Sequence, residues 1–416
     1  MHELLQEAVA DHQAGRLAQA EAAYRDIIAR EPNNADALHL LGVLALQTNR
    51  HDVAATYIAR AISVNPAAAD YHYNLGLALA GQGQSEEAAV HFRKVIKLNP
   101  DYAEAYNNLG NTLKEQGKFD EAGQQYRKAL ELLPSYANAH NNLGTVLQDA
   151  GNMDDAIRHY RDAIAIESDD AEAHYNLGHA LSEIGQLAEA VQAYKQALRL
   201  DPQFVDAYVN LGSVFDRLEQ PEAAIETYKE ALTLDHQSAD IHNKLGNALR
   251  GKQEWHQAVA SFREAVALDA SSAEFHYNLG NALQELGQLP EAIGIYRHAL
   301  LLKSDLVGAM NNLSTALWEC GQLSEATEIL RRGLRLHPEL AQMHSNLGNI
   351  YLSQGKHQDA IATYRQGVAL DTGDAQLHSN LLLSLHYSGT DAKALFAEHR
   401  HWAAQHAERF ASTVRP

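Results

Sequence analysis

The sequence predicts an all-α fold, a solenoid of stacked helical hairpins, and three observations carry that prediction. Leucine returns every 34 residues, at Leu41, Leu75, Leu109, Leu143, Leu177, Leu211, Leu245, Leu279, Leu313, Leu347 and Leu381, with glycine after nine of them. Alanine keeps the same interval, from Ala20 through Ala54 and Ala88 to Ala360. No segment shows strand-like alternation, whereas apolar residues in both halves of each unit recur with the spacing of one helix face. The register starts at residue 1, so eleven full units run from 1–34 to 341–374, a partial twelfth covers 375–389, and 390–416 reads as a C-terminal amphipathic helix.

Residues 103–136 serve as the type unit. In its first helix, Ala105, Leu109, Thr112 and Leu113 cluster on one side, while Glu104, Asn107, Asn108, Asn111, Lys114 and Glu115 fall on the other. One face therefore packs and the other meets water or a partner. Gly117 stands where the helix needs a left-handed closing residue, a position that glycine fills in nine of twelve copies. The second helix carries Ala122, Tyr126, Ala129 and Leu130 on one face, and Pro134 stops it. Gly110, inside the first helix, costs about 1 kcal/mol relative to alanine. A close approach of the second helix at its small residue Ala122 is expected to offset that cost, with the aromatic at unit position 24 filling space between units.

Composition narrows the function. Lys and Arg total 33 against 53 Asp and Glu, a formal charge of −20. Such a balance disfavours nucleic acid and anionic membranes, both of which need clustered positive charge. The only cysteine, Cys320, excludes an internal disulfide. Met1 to Arg16 already reads as the first unit rather than a targeting segment, and no apolar run of about 18 residues occurs. The expectation is a cytoplasmic protein with neither nucleic-acid nor membrane partners. No phosphate loop, no zinc-protease motif and no nucleophile elbow is found, so no catalytic residue and no cofactor is assigned.

Unit length and the Leu-Gly, Gly, Ala, aromatic and Pro positions together resemble the tetratricopeptide repeat, over residues 1 to about 389. That resemblance implies a right-handed superhelix whose first-helix polar faces line a concave groove. Asparagine recurs there at unit position 6, as Asn74, Asn108, Asn142, Asn176, Asn210, Asn278, Asn312, Asn346 and Asn380, with Leu40 and Lys244 departing from the file. Asparagine is a mediocre helix former, and its amide both donates and accepts. Such a file can bond the backbone of an extended peptide, or it can tie unit to unit, and the two roles can coexist. Acids at position 2 (Asp36, Asp70, Glu104, Glu172, Asp206, Asp240 and Glu274) suit a helix N-terminus and mildly favour basic partners. Seven histidines share position 4: His72, His140, His174, His242, His276, His344 and His378. Copies in adjacent units stand about 8–10 Å apart, too far to share a metal, so they are assigned to packing and no metal is expected. The file could still sense acid, because histidine titrates near pH 6.5. A clamp for C-terminal carboxylates would need basic residues at positions 2, 5 and 6, which the acids and amides here do not supply.

Within the superfamily, NNLGNTLKEQGKFDEA at 107–122 and the asparagine file resemble the repeat region of the protein O-GlcNAc transferase and SPINDLY group. There such asparagines hold substrate polypeptides in the superhelix lumen, and the resemblance carries that role to the nine position-6 asparagines alone. HSNLLLSLHY at 378–387 and ALFAEHRHWAAQHAERF at 394–410 look like the segment joining such repeats to a two-lobed nucleotide-sugar domain. Leu395, Phe396, His399, Trp402, Ala403, His406 and Phe410 form its stripe. The leading expectation is a scaffold holding extended protein or peptide segments. An alternative is a fragment of an O-GlcNAc transferase, with no catalytic domain of its own in this chain. Another is a structural scaffold that assembles as a homodimer through a convex face or the tail.

Overall fold

The computed structural model describes residues 2–407, and within them every regular element is a helix. In the type unit the first helix is Ala103–Glu115 and the second Phe119–Leu132. The same 13- and 14-residue lengths recur along the chain. The ends deviate: the first helix is His2–Gln13, and the last second helix is only Ala392–Trp402, followed by the π-helical turn Ala403–Ala407. Phe410 of the tail stripe lies outside the described residues. No helix among them is long and apolar enough to cross a membrane.

The chain forms two compact units, Met1–Asn210 and Leu211–Pro416. Within each, the two helices of a repeat pack as a hairpin, and the second helix also packs on the first helix of the next repeat. The turn inside each hairpin is set by backbone conformation. Nine glycines at unit position 15 have φ between 70° and 80°, and Asn49, Glu219 and Gln253 take φ of 55°, 56° and 61° at the same position. In the type unit Lys118 N–H donates to the Leu113 carbonyl at 2.9 Å, closing the helix end across the left-handed residue.

The packing face is buried as the periodicity predicts: Ala105, Leu109, Thr112 and Leu113 are each at most 3% exposed. The interior glycine has a different reason from the expected one. A Cβ on Gly110 would lie 2.5 Å from Cε1 of Tyr126, and one on Gly144 would lie 2.6 Å from Cε1 of Tyr160. The glycine therefore makes room for the ring at position 24 of its own hairpin, not for the alanine at position 20. That ring fills space within the repeat. Ala8, Ser314 and Leu382 stand in place of the glycine in their hairpins.

One residue assigned to the wet face is buried. Asn107 is only 3% exposed because the first helix of the next repeat covers it, and Asn141 and Asn243 are covered in the same way.

Candidate functional site

The position-6 asparagines lie on the first helices and are half-buried, apart from the buried Asn278. Their Nδ2 atoms reach back to the preceding repeat. Asn142 donates to Asn107 Oδ1 at 3.0 Å, Asn176 to Asn141 Oδ1 at 3.1 Å, Asn278 to Asn243 Oδ1 at 2.9 Å and Asn346 to Asn311 Oδ1 at 2.6 Å. Asn108 and Asn210 donate to the hydroxyls of Tyr73 and Tyr175, both at 2.9 Å, and Asn74 pairs with His39 Nε2 at 2.8 Å. These partners all sit at unit position 5. Asn312 and Asn380 reach one turn further, to Asn281 and Asn349 at position 9, over 2.8 and 3.5 Å.

Lys244 follows the same logic. At position 5 of the preceding repeat stands Val209, whose side chain has no acceptor, and the longer lysine donates to Ser213 Oγ at position 9, over 3.3 Å. The file thus ties repeat to repeat whether the donor is an amide or an ammonium.

The carbonyl oxygens of Asn346 and Asn380 also accept, from Gln342 and Gln376 at 3.2 and 3.1 Å. Asn142 also lines a polar cleft. The cleft beside Asn142 has a volume of about 560 Å³ and is lined by Asn107, Asn108, Asn111, Asn141 and Asn142 together with Tyr73 and Tyr136. Glu167, Asp169, Asp170 and Glu172 also line it. Tyr73 stacks on Tyr102 with ring centroids 4.9 Å apart. Burial is the main cause that raises the phenol pKa values here, pushing Tyr136 up to about 12 and Tyr73 and Tyr102 above their ordinary value. These hydroxyls stay protonated at neutral pH, so the cleft offers neutral donors and acceptors together with carboxylates.

Tyr102 and Tyr136 close their units at position 34, and the acids at 167, 169 and 170 lie in the link to the next repeat. Reasoning from the first helix alone missed them; the aromatic residue closing two successive units, at Tyr102 and Tyr136, was the available signal.

The second unit contains a cleft of about 490 Å³ beside Asp216, Glu219 and Asn247. Tyr126, Tyr296 and Tyr364 donate to Asn111, Asn281 and Asn349, fifteen positions earlier. Phe262 occupies the corresponding place for Asn247, whose buried Oδ1 has no partner. Burial raises the Asp216 carboxyl pKa, against the lowering effect of the hydrogen bond from Tyr228 at 2.7 Å.

Two family models match this chain. One, described as the Cilia and flagella-associated protein 70 C-terminal domain, covers residues 94–311. The other, described as a tetratricopeptide repeat, covers 5–63, 45–103 and 311–375. Among solved structures, MamA protein is 28% identical, with 41% of this chain and 94% of that chain covered, at a TM-score of 0.39. YrrB, described as a TPR protein with an unusual peptide-binding site, is 26% identical, with 47% of this chain and 97% of that chain covered, also at 0.39. Comparison with curated proteins gives no match.

Proposed function

The chain belongs to the tetratricopeptide repeat family that these two models describe, and from that premise we propose that it is a protein-binding scaffold holding extended polypeptide segments against its first-helix face. One observation carries the reading: Asn142 is anchored by donation from Nδ2 to Asn107 and, with Asn108, lines a polar cleft along the first helices. A fixed amide is a better peptide ligand than a mobile one, because its ordering cost is met during folding rather than on binding. Adjacent first helices stand about 8–10 Å apart, and an extended chain advances about 3.3 Å per residue. One rung therefore serves about every third residue, through backbone groups that all sequences share. The acids at 167–172 favour segments that also carry lysine or arginine.

Binding of fluorescent, unstructured, lysine-containing peptides tests this in two arms. Asn108, Asn142 and Asn176 changed together to alanine remove the ligand amides. Asn107→Ala with Asn141→Ala removes the acceptors that anchor Asn142 and Asn176, at positions only 3% and 6% exposed in the cleft, and leaves those two amides in place. The first set is expected to weaken binding at least tenfold and the second much less, with both proteins folded by circular dichroism. Equal effects, or none, would reject the assignment.

A finer reading, that bound polypeptides are presented for glycosylation as in the O-GlcNAc transferase group, is supported by the run at 107–122 and by the 378–410 segment. Co-expression with a UDP-GlcNAc-dependent transferase domain and an acceptor protein tests it. Loss of acceptor labelling in the amide triple variant is the expected result, and unchanged labelling would reject it.

A further inference from the structure

We propose that the last hairpin carries a divalent transition-metal site, zinc by preference, formed by His378, Glu398 and His401. His378 belongs to the first helix Ala375–Tyr387 and is fully buried. Its Nε2 lies 3.0 Å from Glu398 Oε1, and His401 Nδ1 lies 3.6 Å from the same oxygen. All three ligand atoms fall within 4.8 Å of one another. Tetrahedral zinc with bonds of about 2.0–2.2 Å sets its ligand atoms about 3.3–3.5 Å apart. The two separations from Glu398 Oε1 bracket that value, and the two imidazole nitrogens, within 4.8 Å of each other, close on an ion by side-chain adjustment.

Local structure supplies the arrangement. Glu398 and His401 are three apart on the helix Ala392–Trp402 and so share one face. The third ligand comes from the other arm of the hairpin. On its far side, His378 Nδ1 lies 3.2 Å from Nε2 of the buried His406. That contact lets His378 donate from Nδ1 and present Nε2 as a lone pair, the outer hydrogen bond that metal-bound histidines ordinarily make. Three protein ligands with His401 at the surface leave a fourth position for water or a ligand from outside.

The site also has mechanical meaning. The helix Ala392–Trp402 has no buried residue, unlike the other second helices, such as Phe119–Leu132 with Ala122, Gly123, Tyr126 and Ala129. It is held by polar contacts, from His378 and from Trp402 Nε1 to Ser379 Oγ at 3.1 Å. A metal bridging His378 to Glu398 and His401 joins the two helices where apolar packing is thin.

A second cluster, His140, His159 and Asp162, is the internal comparison. There the two imidazoles meet Nδ1 to Nδ1 at 2.9 Å, and the Asp162 carboxylate stands 3.8 Å from His140. His72 and His91 form the same pair at 3.0 Å with Lys94 in place of the aspartate. The pair is thus a packing device that arises without a third ligand.

The test is titration of the tag-free full chain with Zn²⁺ by calorimetry and with Co²⁺ by visible absorption. One tight site with a tetrahedral Co²⁺ spectrum is expected. Glu398→Gln and His401→Ala, on an exposed helix, should each weaken it by at least tenfold, and His159→Ala should leave it unchanged. Zinc should also slow amide exchange across 392–402. No binding at 100-fold excess metal, binding indifferent to E398Q and H401A, or binding lost in H159A alone would each overturn the proposal.

Discussion

Gly110→Ala should destabilise the protein, against the ordinary preference of helices. In an open helix interior the exchange favours alanine by about 1 kcal/mol. Here the new methyl would stand 2.5 Å from Cε1 of Tyr126, whereas unstrained carbon contacts lie near 3.5–4.0 Å. The ring must therefore retreat by about 1 Å or more. It cannot swing aside, because Tyr126 is wholly buried and its hydroxyl donates to Asn111 Oδ1 at 2.8 Å. Overpacking of this kind costs about 1–3 kcal/mol, which leaves a net loss of up to about 2 kcal/mol. Gly294, in the helix Leu289–Leu302, is the control, since nothing lies within 4 Å of the position its Cβ would take. The identical exchange there should gain up to about 1 kcal/mol. Stacked repeats can unfold in parts, so thermal unfolding should be paired with hydrogen exchange resolved along the chain. A second variant guards the interpretation. Ser314 coexists with Leu330 in its hairpin, so Tyr126→Leu should relieve part of the damage done by Gly110→Ala. Stabilisation by Gly110→Ala alone, or simple additivity in the double variant, would refute the ring-on-backbone account.

Glu219 and Gln253 hold φ of 56° and 61°, a conformation that costs a side-chain-bearing residue about 1–2 kcal/mol; Glu219→Gly and Gln253→Gly should each raise stability by about 1 kcal/mol, and a fall in melting temperature would count against the strain. Phe262→Tyr should supply the donor that the buried Asn247 Oδ1 lacks, worth about 1 kcal/mol, and a crystal structure with that hydroxyl turned away from Asn247 would contradict it. Burial holds the pKa values of His39, His72, His91 and His159 below the ordinary histidine value. In such groups the unfolded chain binds protons first, so stability is fully present above about pH 6.5 and is lost as pH falls from there toward the lowered folded values. The melting temperature at pH 5.5 should lie below that at pH 7.5, and equal values would reject the coupling.

The fold was legible because each repeat presents nearly the same environment, so a face common to many copies shows as a period. What the period does not encode is the partner. Asn142, Asn108 and Asn74 share one position and one donor atom, yet their acceptors are an amide, a phenol and an imidazole. The recurring residue was visible and its varied counterpart was not. Gly110 shows the same limit, since its constancy revealed a close approach without revealing that a ring rather than an alanine made it. The histidines of position 4 extend the lesson. Spacing between repeats argued against a shared metal, but the neighbours of His378 come from the second arm of its own hairpin, at Glu398 and His401. A repeat sequence is thus read most securely along its rows. Its chemistry arises where a row meets an irregular residue, as at Lys244, Phe262 and Glu398.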